Sequence, residues 1–82
     1  LPHARASARP IRAGDFLLLD FGAIVGGYCS DVTRTVVVGR ASDAQRALHS
    51  VVREAQAVAV GGVRAGMSGK DADALARDYI EA

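Results

Sequence analysis

The sequence predicts an α+β fold: an antiparallel β-hairpin followed by two α-helices. Three observations carry that reading. Phe16-Leu17-Leu18-Leu19 and Val36-Val37-Val38 are short apolar runs rich in strand formers, with Gly26-Gly27 between them as a hairpin breaker. Ser42-Asp43-Ala44-Gln45 is a capping box that opens a helical apolar stripe. Ser68-Gly69-Lys70-Asp71 is a second cap-like signature before another such stripe.

The stretch before the hairpin, Leu1 to Asp15, is irregular, with two prolines, small residues and basic side chains in no sustained period. Ala13-Gly14-Asp15 is a turn feeding the first strand. His3, met alone in such a loop, reads as a solvated surface residue.

The hairpin arms carry Asp20 and Asp31, eleven residues apart, where buried strands disfavour carboxylates. A loop of Val25-Gly26 sets Asp20 directly opposite Asp31. A loop of Gly26-Gly27 instead pairs Asp20 with Thr33 and leaves Asp31 as the diagonal neighbour. Either register keeps both carboxylates on one face, because side chains alternate with period two. Opposed side chains have Cβ atoms ~5 Å apart, and like charges there destabilise a sheet. A divalent cation held between the two carboxylates would compensate, since oxygen donors suit Mg²⁺, Mn²⁺ and related ions. Singly, each aspartate reads as a turn-capping residue; together and in phase they point to metal.

Other residues of the stretch read more simply. Asp20-Phe21-Gly22 spells the magnesium-binding tripeptide of protein kinases, but no HRD loop, Gly-rich loop or strand lysine accompanies it. Cys29 reads as a small buried cysteine filling space rather than a reactive thiol. Tyr28 reads as packing. Arg34 could pair with a carboxylate or snorkel from the strand. Thr33 and Thr35 are ordinary strand residues.

The first helix has its apolar stripe at Ala44, Leu48, Val51, Val52, Ala55, Val58, Ala59 and Val63, which should face a sheet. Gly61-Gly62 weaken its last turn, and Gly66 is a plausible C′ stop. His49 and Glu54 fall off the stripe and read as solvated. The second helix has its face at Ala72, Leu75, Ala76, Tyr79 and Ile80.

Composition bounds the function. Half of the 82 residues are apolar and 23% are charged, a globular balance. A net charge of +1 gives no reason to expect nucleic acid or an anionic membrane as partner. No apolar run approaches the ~20 residues of a membrane span, and no signal-peptide pattern opens the chain. A single cysteine excludes an internal disulfide and fits a cytoplasmic location. The chain starts at Leu1 and stops at Ala82 inside an amphipathic pattern, so residues 1–82 read as an incomplete domain cut at both ends.

The motif as a whole resembles a known family. Asp20-Phe21-Gly22-Ala23, then Gly27-Tyr28-Cys29-Ser30-Asp31-Val32-Thr33-Arg34-Thr35, then Val38-Gly39, is similar to the first metal-ligand hairpin of the pita-bread metallopeptidases. Its form is closest to the Xaa-Pro aminopeptidase and prolidase branch, related to methionine aminopeptidase. Glu54-Ala55-Gln56 and the V-x-x-G-x-S run from Val63 to Ser68 extend the resemblance almost to Ala82.

The resemblance implies that residues 1–82 form the first half of a pita-bread catalytic domain. It implies that Asp20 and Asp31 are ligands of a pair of divalent metals (Mn, Co or Zn in the complete protein). It places His3, seventeen residues before Asp20, in the substrate pocket. In that family the remaining ligands, one histidine and two glutamates, lie downstream of the stretch that this chain resembles. The fragment therefore contains no catalytic residue and should be inactive alone. The implied parent is a dinuclear metallo-aminopeptidase or dipeptidase acting on peptide substrates, removing an N-terminal residue next to proline. In that family the metal pair activates a bridging water and polarises the scissile carbonyl. A homodimer is an assembly the resemblance allows for the full-length protein. Two alternatives stand beside this reading: a metal-free or non-catalytic pita-bread homologue, creatinase-like or protein-binding, and a free-standing small α+β binding module.

Overall fold

The computed structural model describes residues 4–82. They form two units, one running to Ala41 and one starting at Ser42.

The first unit is a long β-hairpin in two antiparallel segments. β1 (Phe16–Phe21) pairs with β4 (Val32–Val37), and beyond a short break β2 (Ile24–Val25) pairs with β3 (Tyr28–Cys29). One register runs through both: Phe16 faces Val37, Asp20 faces Thr33, and Val25 faces Tyr28. Gly26 and Gly27 make the turn at φ +57° and +82°. A two-residue hairpin loop of this hand needs positive φ at both positions, which glycine adopts without a Cβ penalty. That requirement selects the Gly26-Gly27 loop over Val25-Gly26, since a β-branched valine resists positive φ.

The open end of the hairpin is closed by the predicted turn. The Asp15 N–H donates to the Arg12 carbonyl at 3.1 Å, around Gly14 at φ +91°. Gly14 N–H donates to Val38 O at 2.8 Å, and Val38 N–H donates to Asp15 O at 2.9 Å, so the ladder continues one step past β1.

The apolar runs were expected to be buried strands. In the described residues they are half-buried or exposed, with Leu18 at 62% and Val36 at 45% exposure. A two-stranded ribbon has two faces, and neither is covered within its own unit.

The second unit is an αα-pair. α1 (Asp43–Gly62) begins at the predicted capping box: Ser42 Oγ accepts from Gln45 N–H at 3.1 Å, and Gln45 Oε1 accepts from Ser42 N–H at 2.9 Å. α2 (Gly69–Glu81) is capped by Ser68, whose Oγ accepts from Asp71 N–H at 3.0 Å. The two helices pack through small side chains. Ala55 is the one fully buried residue among those described, and Ala59, Gly62, Ala72, Leu75 and Ala76 are half-buried.

Gly66 was expected to stop the first helix at C′. Instead the helix ends at Gly62 with Val63 as an extended C-cap, and Gly66, at φ +90°, belongs to the loop, where Met67 N–H donates to Arg64 O. Gly61 and Gly62 stay helical, and the second has a packing reason. A Cβ at 62 would lie 3.0 Å from Leu75 Cδ1, so the missing side chain lets α2 approach. The rest of the stripe, including Leu48, Val52 and Val58, is exposed. Among the described residues no helix is long and apolar enough to cross a membrane.

Candidate metal-ligand hairpin

Asp20 lies near the end of β1 opposite Thr33, and the Thr33 hydroxyl donates to Asp20 Oδ1 at 3.4 Å. That distance is at the long limit for a hydroxyl donor, so the carboxylate keeps most of its acceptor capacity. Asp31 sits two residues before Thr33, in the break between β3 and β4 rather than inside a strand. Both aspartates are exposed. The register thus makes them the diagonal rather than the directly opposed pair.

The break has a definite construction. Ser30 N–H donates to Ala23 O at 2.9 Å, as a regular ladder requires. The return bond is different: Ala23 N–H donates to Ser30 Oγ at 3.0 Å. The Ser30 hydroxyl stands in for its own carbonyl, and that carbonyl is turned onto Gly22. A Cβ built on Gly22 would lie 2.0 Å from Ser30 O and 3.6 Å from Asp31 Cα. Only glycine fits there. Sequence reasoning passed over Ser30 and Gly22 as parts of the motif without a role. The available signal was a glycine inside a strand pattern, which marks a bulge or a close backbone approach.

The other residues singled out fall as follows. Among the described residues Arg34 pairs with no carboxylate; its Nη1 donates to the Thr33 carbonyl at 2.8 Å. Cys29, expected to be buried, is exposed, because the β2–β3 tip has no covering layer within its unit. Tyr28, expected to pack, is 85% exposed for the same reason. Glu54 is not merely solvated: its Oε2 accepts the Tyr79 hydroxyl across the helix pair. That bond pushes the Tyr79 phenol above its ordinary value. His3 lies outside the described residues.

A second polar cluster holds the hairpin's base. Asp15 Oδ2 accepts Arg12 N–H and Asp15 Oδ1 accepts Arg9 Nη2, both at 3.0 Å. The Arg12 amide first, and the Arg9 guanidinium second, hold the Asp15 carboxyl below its ordinary value.

The donor chemistry at Asp20 and Asp31 suits a hard divalent cation: two accessible carboxylates, one weak hydrogen bond between them and the described surroundings, and no apolar cover. Among the described residues no group of three His, Cys, Asp or Glu side chains comes together.

Comparison with known proteins places this hairpin and helix pair in a class. The chain belongs to metallopeptidase family M24, whose family model matches residues 1–82. Its fold is the α+β hairpin-and-helices part of the pita-bread fold, as in solved prolidases. It is 54% identical over 82 residues to the "uncharacterized peptidase YqhT" of Bacillus subtilis, covering 100% of this chain and 23% of that protein. It is 43% identical over 81 residues to the Xaa-Pro dipeptidase of Pyrococcus furiosus, covering 99% of this chain and 23% of the relative. Among solved structures, the recombinant prolidase of Thermococcus sibiricus matches with a TM-score of 0.90 at 49% identity, over 98% of this chain and 22% of that one. The chain therefore spans less than a quarter of the length of these relatives.

Proposed function

We propose that this chain contributes Asp20 and Asp31 as two ligands to the dinuclear metal centre of an aminopeptidase or dipeptidase that removes an N-terminal residue next to proline. The observation that supports this most is the whole-chain match to Xaa-Pro dipeptidases with both hairpin carboxylates in place and accessible. Bound divalent ions (Mn²⁺, Co²⁺ or Zn²⁺) would supply Lewis-acid activation of water and of the scissile carbonyl. This chain's part is to present oxygen donors: Asp20 from the end of a strand, Asp31 from the adjoining break. Thr33, donating to Asp20 Oδ1, orients that carboxylate. His3 borders the substrate in this proposal, and the peptide is the partner. The location proposed is the cytoplasm, with which a single cysteine agrees.

Two carboxylates leave a divalent ion mostly hydrated, so residues 1–82 alone should hold metal weakly and hydrolyse no peptide. The test is made on the full-length protein with an Xaa-Pro dipeptide and Mn²⁺. Asp20→Asn and Asp31→Asn should each abolish turnover and weaken Mn²⁺ binding by calorimetry by more than the roughly 10–100-fold that loss of an outer-shell partner costs. Unchanged Mn²⁺ affinity in both variants would sink the assignment.

A further inference from the structure

The break between the two ribbon segments begins two residues after Asp20 and contains Asp31, and its chemistry is unlike the ladder on either side. In a regular antiparallel pair the Ser30 carbonyl would accept the Ala23 N–H, and the peptide joining Ser30 to Asp31 would lie in the sheet. Here the Ser30 hydroxyl accepts that N–H at 3.0 Å, while the Ser30 N–H still donates to Ala23 O at 2.9 Å. The carbonyl freed from the ladder is rotated onto Gly22, where a side chain would stand 2.0 Å from it. The peptide so rotated is the one that carries Asp31. Gly22 is in turn two residues after Asp20, on the arm that presents the other carboxylate.

From this we infer that Ser30 is a positioning residue for the metal centre, with Gly22 as its steric counterpart. The hydroxyl replaces a ladder carbonyl, holds the Ser30–Asp31 peptide rotated out of the ladder, and fixes where the Asp31 carboxylate stands relative to Asp20. The inference rests on the proposed metal role of those two aspartates. The Ser30 N–H to Ala23 O bond links the same two residues but leaves the orientation of the Ser30–Asp31 peptide open, which the hydroxyl bond does not. Removing the hydroxyl leaves the Ala23 N–H to solvent or to a Ser30 carbonyl that swings back, and either outcome releases the peptide that carries Asp31.

The test compares Ser30→Thr, which keeps a hydroxyl, with Ser30→Val, which has the same branched shape without one. Both are made in the full-length protein, with Asp20→Asn as reference. Mn²⁺ affinity is read by calorimetry, and exchange of the Ala23 amide by hydrogen–deuterium exchange. Ser30→Val should lower Mn²⁺ affinity at least about tenfold and speed Ala23 exchange, while Ser30→Thr stays within about threefold of the parent, the range for lost and retained outer-shell partners. Equal Mn²⁺ affinity in the Thr and Val variants, while Asp20→Asn loses binding, would overturn the positioning role and leave the metal assignment standing. Unchanged affinity in Asp20→Asn would remove the metal reading and this inference with it. Circular dichroism checks folding; if the branched pair does not fold, Ser30→Ala against the parent decides by the same two readouts.

Discussion

The hairpin unit and the helical unit solve the same problem, satisfying backbone groups with little core, in opposite ways. Each helix is closed locally, by a serine accepting from the amide three residues on. The pair then meets through small residues, with Gly62 making room for Leu75. The hairpin is closed by partners distant in sequence, and at its break a serine side chain on one arm replaces a backbone acceptor for the other. Local closure tolerates change, because one cap supports one helix end. Cross-strand closure does not, because Gly22, Ala23, Ser30 and Asp31 are committed to one geometry. The difference places the candidate ligands in the unit where a backbone shift is most costly.

Gly22→Ala should break the comparison hardest. Its Cβ would meet a backbone oxygen at 2.0 Å, and backbone cannot rotate away as a side chain can. The expected loss is about 3 kcal/mol, the upper part of the overpacking range, read as a lowered midpoint in urea denaturation. Gly62→Ala, by contrast, meets only the methyl groups of Leu75, and its steric cost is offset by the helix propensity of alanine. A Gly22→Ala protein as stable as the parent would show that the arms are not held at this break.

Ser42→Ala probes the local closure of the helical unit. It removes the acceptor for Gln45 N–H and half of a reciprocal box, and should cost about 1 kcal/mol by the same measurement. Ser68→Ala should cost no more than that, since Ser68 makes the single forward bond to Asp71. If Ser42→Ala proved as damaging as Gly22→Ala, the contrast between the two kinds of closure would fail.

Sequence patterns read the two units unequally. Both helices were legible to within a residue of their starts, because caps and apolar periods are local signals that one stretch of chain contains in full. The end of α1 was not, since Gly66 looks like a C′ residue while the helix had already yielded to an extended Val63. The hairpin and its aspartates were legible, and so were the two registers it could take. The choice between them followed from a backbone rule, positive φ at both turn residues, that Val25 cannot meet cheaply. What the pattern hid were side-chain links: the Ser30 hydroxyl replacing a carbonyl across the strands, the Glu54–Tyr79 bond between the helices, and the Arg9–Asp15 pair before β1. Each joins residues whose proximity is a product of the fold rather than of spacing. The exposure of Tyr28 and Cys29 escaped for a related reason, since an apolar or small residue does not announce whether a layer covers it.

The smallest expected effects are in titration, where a depressed carboxyl and a raised phenol act with opposite sign. Asp15, at the hairpin's base, is held below its ordinary value of 3.8 by the Arg12 amide and the Arg9 guanidinium. A depressed carboxyl stabilises above its unfolded value, and that contribution drains as pH falls below about 4 through the folded value. Tyr79, in the helical unit, is held above its ordinary value of 10.0 by its bond to the Glu54 carboxylate. A raised phenol stabilises below its unfolded value, and the contribution is lost as pH rises above about 10 through the folded one. Both groups are solvent-accessible, so screening keeps either effect modest. Acid should therefore weaken both the hairpin's base and the Asp73–Arg77 pair of α2, whose carboxyl the Arg77 guanidinium likewise holds low, whereas alkali acts on the Glu54–Tyr79 bond. Carboxyl NMR on Arg9→Gln should show Asp15 titrating at higher pH than in the parent, and tyrosinate absorbance on Glu54→Gln should show Tyr79 ionising earlier. An Asp15 titration unmoved by Arg9→Gln would mean that the ion pair does not persist in solution, leaving the Arg12 amide alone to hold that carboxylate.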